Sequence, residues 1–149
     1  MFRGQFHHSI DQKGRTSLPS RFREVLDAEG DLRLILTPAP FDPCLHLYPL
    51  KAWEDFERKV AELPSLDPDI ARFRRLYISP ALDVEVDKAG RIRIGSDFRE
   101  KANITGEVFW AGMGRIVELW SKDLWDRNTA MNDEQFVNFQ SKVQELIRI

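Results

Sequence analysis

The sequence predicts an α+β fold built from two βαββα-like units in tandem. Three observations carry that expectation: a turn that recurs with its flanks 76 residues later, strands whose apolar residues alternate with charges, and helices whose apolar residues fall on one face. Asp11-Gln12-Lys13-Gly14-Arg15 runs on to Ser20, Phe22, Arg23 and Glu24; Asp87-Lys88-Ala89-Gly90-Arg91 runs on to Ser96, Phe98, Arg99 and Glu100. Seven of these fourteen aligned positions are identical, enough to imply duplication of a structural unit.

The second unit shows its strands most clearly. Leu82, Val84 and Val86 alternate with Asp83, Glu85 and Asp87, and Ile92 and Ile94 alternate with Arg91 and Arg93. The three-residue loop between them ends in Gly90, which suits a type I turn closed by a left-handed residue. A hairpin of this kind is expected to set Asp87 opposite Arg91 and Glu85 near Arg93, where opposite charges favour the register. In the first unit Phe6, His8 and Ile10 face inward, as do Thr16 and Leu18, while Asp11, Arg15 and Ser17 face outward.

Each hairpin leads into a short helix; Pro19 and Ser20 open the first, whose Phe22 and Leu26 share a face at i, i+4. A second strand pair follows, with Leu32, Leu34 and Leu36, then Leu45 and Leu47 after a proline-rich loop. Val108-Phe109-Trp110, a Gly112-Met113-Gly114 turn and Ile116-Val117-Glu118-Leu119-Trp120 repeat the pattern. Tyr48 to Trp53 then answers Trp120 to Trp125, at an offset of 72, so the first copy carries about four extra loop residues. Trp53, Phe56, Val60 and Leu63 mark a helix that Pro64 and Pro68 interrupt; Ile70, Phe73 and Tyr77 mark another, and Phe136, Phe139, Val143 and Leu146 or Ile147 the last. The expected organisation is a first repeat at 1–54, a helical linker at 55–80, a second repeat at 81–126 and a C-terminal helix at 127–149. Trp53, Trp110, Trp120 and Trp125 are read as core.

A chain of 149 residues with 42% hydrophobic content is long enough to fold, but each repeat alone is short of core. The single cysteine, Cys44, excludes an internal disulfide and fits a reducing compartment. The opening residues lack a signal-peptide core and no stretch has the length to span a bilayer, so the expectation is a soluble cytoplasmic protein with no membrane partner.

Catalytic chemistry finds no support. Carboxylates lie in charge-alternating segments, Gly112-Met113-Gly114 lacks the lysine and helix of a phosphate loop, and Cys44 has no catalytic partner in sequence. His7 and His8 are adjacent on a strand and point to opposite faces, while His46 is distant from both. No enzyme activity, catalytic residue, metal site or cofactor is expected.

Charge is unevenly distributed behind a net of −2. Residues 1–23 hold five basic side chains against Asp11 alone, +4, whereas the aligned residues 77–99 hold four against four. Lys13 tops the first turn, Arg15 lies just below it and Arg3 is placed near them. A two-stranded β-ribbon fits the DNA major groove, and arginine pairs guanine through two hydrogen bonds. The bland reading stands beside this one: Asp11 neutralises Arg15 across an ordinary lysine-glycine turn.

Met1-Phe2-Arg3-Gly4, the Asp11-to-Arg15 turn, Leu18-Pro19-Ser20-Arg21-Phe22-Arg23, Pro43-Cys44-Leu45 with Leu47-Tyr48-Pro49, and the second Asp87-to-Arg91 turn together closely resemble the MraZ family. The resemblance covers essentially the whole chain. It implies an AbrB-like swapped-hairpin β-barrel with flanking helices, both hairpins coming from one chain. It also implies a bacterial transcriptional regulator, usually a repressor, at the promoter of the division and cell-wall gene cluster that includes its own gene. Such a protein is nucleoid-associated, assembles into rings and recognises short direct repeats in double-stranded DNA.

By position the DNA-contacting residues are Lys13, Gly14 and Arg15. The second turn departs from this pattern, having Ala89 where Lys13 stands, so Arg91 is the lesser DNA candidate and packing or subunit contacts are the expected role of that turn. The alternative function is a protein-binding assembly or antitoxin-like adaptor of the same fold without a DNA target of its own.

Overall fold

Strand pairing in the computed structural model, which describes residues 1–148, relates the two repeats by an approximate twofold axis. The elements run β1 (Gln5–Ser9), β2 (Arg15–Ser17), α1 (Ser20–Glu29), β3 (Arg33–Pro38), β4 (Leu45–Pro49), α2 (Leu50–Ala61) and α3 (Pro68–Phe73). A π-helical turn, Arg74–Ile78, leads to β5 (Leu82–Glu85), β6 (Arg91–Arg93), α4 (Ser96–Lys101), β7 (Glu107–Gly112), β8 (Val117–Ser121), α5 (Lys122–Thr129) and α6 (Asp133–Ile147). The α+β class and the tandem repeat are both present.

Six strands form one open antiparallel sheet in the order β1-β7-β8-β4-β3-β5, and β2 and β6 form a separate ribbon. The central pair sets His46 opposite Glu118, and the ribbon sets Thr16 opposite Ile92. These are equivalent positions of the two repeats, at offsets of 72 and 76, so the pseudo-twofold axis passes through both pairs.

The two expected hairpins close only at their turns. Asp11 N–H donates to the Arg15 carbonyl and Asp87 N–H to the Arg91 carbonyl, with one further bridge between Ile10 and Thr16. Beyond each turn the strands cross over to the other repeat: β1 pairs with β7, β5 with β3, and β2 with β6. Arg93 therefore faces Arg15 rather than Glu85, and Glu85 faces Arg33. The physical reason is shared burial. Leu18, Ile92 and Ile94 come from different repeats yet enter one core, and pairing the ribbon strands with each other brings them to it and buries Thr16 as well.

That core lies between the ribbon, with α1 and α4, and one face of the sheet; it includes Phe22, Leu26, Leu36, Leu45, Trp110 and Leu119. The other sheet face is covered as well. Ile35, Tyr48, Trp53 and Tyr77 pack there with α2, α3 and the π-turn, and Phe109 and Trp120 pack with α5. Burial on both faces explains why Leu34–Thr37, where the sequence pattern reads as alternating, and Val108–Ala111 are continuously buried. Trp53, Trp110 and Trp120 are core residues as expected, and Trp125 stacks on Phe109 at 4.4 Å.

Three expectations change in detail. Leu32 and Leu63 lie just outside β3 and α2 and are exposed. α6 forms, with a capping box from Asn132 and Gln135, but Phe136, Phe139, Leu146 and Ile147 stay half or more exposed because the helix extends beyond the core. Cys44, isolated in the sequence, has His46 and Glu118 beside it, since strand parity puts Cys44 and His46 on one face and β8 brings Glu118 across.

Candidate nucleic-acid interface

Each turn is built around its aspartate. Asp11 Oδ1 accepts the backbone N–H groups of Lys13 and Arg15, both at 2.9 Å, and Oδ2 accepts Nε of Arg15 at 2.7 Å. Asp87 repeats the arrangement with Ala89 N–H, Arg91 N–H and Arg91 Nε. These bonds, led by the backbone N–H of the arginine, hold both carboxyls below the usual aspartate range. The expected glycines close the turns in the left-handed region, with φ +84° at Gly14 and +79° at Gly90.

The aspartate thus orients its arginine as well as neutralising it. Only Nε takes part in the ion pair, so the terminal amino groups of Arg15 and Arg91 lie outside it. Both arginines are partly exposed. The carboxylate holds the guanidinium at a set angle on the ribbon.

Thr16 and Ile92 point into the core, so their neighbours Arg15, Ser17, Arg91 and Arg93 make up the outer face of the ribbon. Arg15 stands opposite Arg93, and Ser17 opposite Arg91. Like charges directly opposite in a sheet oppose folding, so this pairing marks a surface suited to an anionic partner.

The repeats also brace each other's turns. Arg93 Nε donates to the Lys13 carbonyl at 3.2 Å, and Arg99 Nη1 to the Gln12 carbonyl at 3.4 Å. Gly14 accepts Ile94 N–H at 2.7 Å, and Leu18 N–H donates to Gly90. Arg23 lies against Gly90 as the counterpart of Arg99 at Gly14.

The candidate residues are only partly united. Arg15, Arg91 and Arg93 share the ribbon, with Lys13 in the turn at its Arg93 end and Lys88 in the turn at its other end. Gly14 is buried and acts through its backbone. Arg3 does not join them: it follows the Phe2–Gly114 bridge before β1, at the end of that strand away from Asp11. Arg93, Arg99 and Arg23 join the site unforeseen. The available signal was the identity of Arg23 and Arg99 in the duplicated stretch, together with a swapped rather than closed hairpin.

Electrostatically the site combines both repeats. Counting charges along the chain makes the first turn basic and the second neutral, but crossing the strands adds Arg93 and Arg99 to the first turn. Glu85 is drawn away into the sheet beside Arg33. Ala89 stands at the position matching Lys13, with the second turn's lysine one place earlier at Lys88, and this remains the principal difference between the two.

Comparison with known proteins gives the same outline. A family model described as "MraZ protein, putative antitoxin-like" matches residues 1–76 and again residues 77–146. A Desulforamulus reducens protein named Transcriptional regulator MraZ is 40% identical over 147 residues, covering 99% of this chain and all of that protein. Proteins of the same name from Marinomonas sp. and Thermoanaerobacter pseudethanolicus are 41% identical over 126 residues and 38% over 146. The first covers 85% of this chain and 83% of that protein, the second 98% and 99%. With both repeats matched and relatives aligned along nearly the full length, the chain belongs to the MraZ family.

Proposed function

We propose that the chain is a sequence-specific DNA-binding transcriptional regulator that reads DNA with the outer face of the β2–β6 ribbon. The observation that carries this reading is the Arg15–Arg93 cross-strand pair, flanked by Lys13 and Arg91. A two-stranded ribbon fits a major groove about 12 Å wide, where arginine addresses guanine O6 and N7 and lysine adds phosphate contacts. The name of the relatives, Transcriptional regulator MraZ, supports the same assignment, as opposed to an enzyme.

In the fuller form of the proposal, the protein represses the promoter of the division and cell-wall gene cluster, including its own gene, by binding short direct repeats as a ring-shaped oligomer. Few basic groups per subunit make for modest, salt-sensitive affinity, and adjacent subunits on successive repeats multiply it. The exposed apolar residues of α6 provide surface for such assembly. No helix among the described residues is long and apolar enough to cross a membrane, consistent with action on cytoplasmic DNA.

A gel shift of the full chain on DNA from upstream of its own gene, cut to one, two or three repeats, tests this. Arg15→Ala is expected to abolish binding to one repeat and weaken binding to three; unchanged binding to the full array rejects the ribbon as reader. The family's antitoxin-like description favours a second reading, a protein-binding adaptor without its own DNA target. That reading requires no specific DNA complex at any salt concentration.

A further inference from the structure

On the sheet face away from the ribbon, the central strand pair carries polar groups that DNA binding does not use. Cys44 is 2% exposed, and the side chains of His46 and Glu118 are 14% and 13% exposed. One potential ligand atom from each lies within 4.8 Å of the other two. His46 Nε2 is 3.4 Å from Glu118 Oε2. This is long for a charge-assisted hydrogen bond, about 2.7–2.9 Å. It matches the nitrogen–oxygen edge of a tetrahedral zinc site, about 3.3 Å when both ligands stand about 2.0–2.1 Å from the ion.

The surrounding groups direct these atoms toward one another. The other ring nitrogen of His46, Nδ1, is hydrogen-bonded to the Tyr77 hydroxyl at 2.6 Å, and that hydroxyl to Tyr48 at 2.5 Å. The other carboxylate oxygen of Glu118, Oε1, accepts Trp120 Nε1–H at 3.1 Å. His46 and Glu118 are thus each held by an outer partner on one polar atom, which leaves His46 Nε2 and Glu118 Oε2 for an ion, as in protein metal sites. Cys44 Sγ completes a sulfur, nitrogen and oxygen set, which suits a zinc-class ion better than the harder magnesium or calcium.

We propose that Cys44, His46 and Glu118 bind a divalent cation of the zinc class where the two repeats meet, beside the pseudo-twofold axis. Cys44 and His46 belong to the first repeat and Glu118 to the second, so the ion ties β4 to β8 and with them the two halves of the chain. Cys44 binds as the thiolate, so forming the metal–sulfur bond from the thiol releases its proton to solvent. The inference is independent of what the ribbon binds.

The test uses the full chain, stripped with a chelator and titrated with Co²⁺ as a spectroscopic probe, then with Zn²⁺. The expected result is a near-ultraviolet thiolate-to-cobalt band that saturates at one ion per chain, disappears when Zn²⁺ displaces the cobalt, and is accompanied by proton release. Cys44→Ser removes the band; His46→Ala and Glu118→Gln each weaken binding by about tenfold or more, and Tyr77→Phe, which keeps the ring, by about tenfold. Zn²⁺ raises the unfolding temperature of the stripped parent chain but not of these ligand variants. If Cys44→Ser does not fold, Glu118→Gln decides, since its amide keeps an oxygen for Trp120. No band at saturating cobalt, or affinity unchanged in His46→Ala and Glu118→Gln, overturns the proposal.

Discussion

Arg15 and Arg93 stand directly opposite each other across the β2–β6 pair, one from each repeat, on the outer face of the ribbon. Neither guanidinium neutralises the other, and each is fixed differently. Arg15 is held by the Asp11 carboxylate and Arg93 by the Lys13 carbonyl. A carbonyl carries no net charge, so Arg93 presents its full positive charge beside Arg15. The folded chain accepts this repulsion because the same register buries Thr16 and Ile92 between the repeats.

Arg93→Ala therefore separates folding from binding. Removing one member of a like-charged cross-strand pair is expected to leave urea stability within about 0.5 kcal/mol of the parent or to raise it slightly. DNA affinity is expected to fall, and the slope of log affinity against log salt to shrink by about one if the lost contact is to phosphate. Fluorescence anisotropy at several salt concentrations, with a urea melt of the same preparation, measures both. Loss of stability together with unchanged binding would show that Arg93 only braces the turn.

The turn glycines give a second prediction, because equivalent positions have unequal surroundings. At Gly14 an added Cβ overlaps the backbone carbonyl of Ile94, whereas at Gly90 it meets the guanidinium of Arg23, a side chain able to shift. Both positions also impose the left-handed conformation, which costs a non-glycine residue about 1–2 kcal/mol. Gly90→Ala is expected to lose about that much, and Gly14→Ala clearly more. Urea unfolding of the two variants checks the order, and equal losses would mean that the Ile94 backbone yields as readily as Arg23.

Local chemistry made much of this molecule legible in the sequence. The Asp-x-x-Gly-Arg turns, the inward set of Ile10, Thr16 and Leu18, the Phe22–Leu26 helix face and the tryptophan core all depend on residues close together in the chain. What was not legible depends on partner choice across more than 70 residues. Nothing local distinguishes a hairpin closed on itself from one exchanged with its copy, so the local pattern pairs Arg93 with Glu85 where the fold pairs it with Arg15. Leu45 and Leu47 marked one face of β4 as core, and the opposite face, with Cys44, His46 and Tyr48, read as ordinary until β8 brought Glu118 to it. α6 shows the converse: its periodicity declares a helix, but not what its apolar face rests on.

The aspartates of the turns confer a pH dependence of known sign. Asp11 and Asp87 have folded-state pKa values below the ordinary 3.8, chiefly through the backbone N–H groups of Arg15 and Arg91. A depressed carboxylate stabilises the fold fully above its unfolded pKa, and that contribution is lost as pH falls through the lower, folded value. The stability difference between the parent and an Asp11→Asn/Asp87→Asn variant is therefore expected to be widest above pH 3.8 and to close below it. Carboxyl-carbon NMR titration should give midpoints below 3.8 for both residues. Asp31, hydrogen-bonded by the side chain of Arg33 and lowered to about 2, serves as an internal reference away from the turns.

Phe22 and Phe98 occupy matching positions of the duplicated stretch, yet the core uses them unequally. Phe22 is completely buried, with edge-to-face contacts to Phe2 at 5.5 Å, Phe6 at 5.3 Å and Trp110 at 6.3 Å. Phe98 is 6% exposed and has Lys101 over its ring. Phe22→Ala removes both the buried ring and its aromatic contacts, so its cost is expected at the upper end of the 3–5 kcal/mol range typical of such truncations, about 5 kcal/mol, with Phe98→Ala nearer about 3 kcal/mol. Trp110 sharpens the comparison, because its buried Nε1–H has no hydrogen-bond partner among the described residues. Trp110→Phe discards that unpaired donor, whose desolvation costs about 1–3 kcal/mol, against the cavity left by the smaller ring. It is expected to destabilise less than Phe22→Ala in the same urea melts. A Trp110→Phe loss as large as that of Phe22→Ala would mean that indole volume, and not the edge-to-face cluster around Phe22, holds this side of the core together.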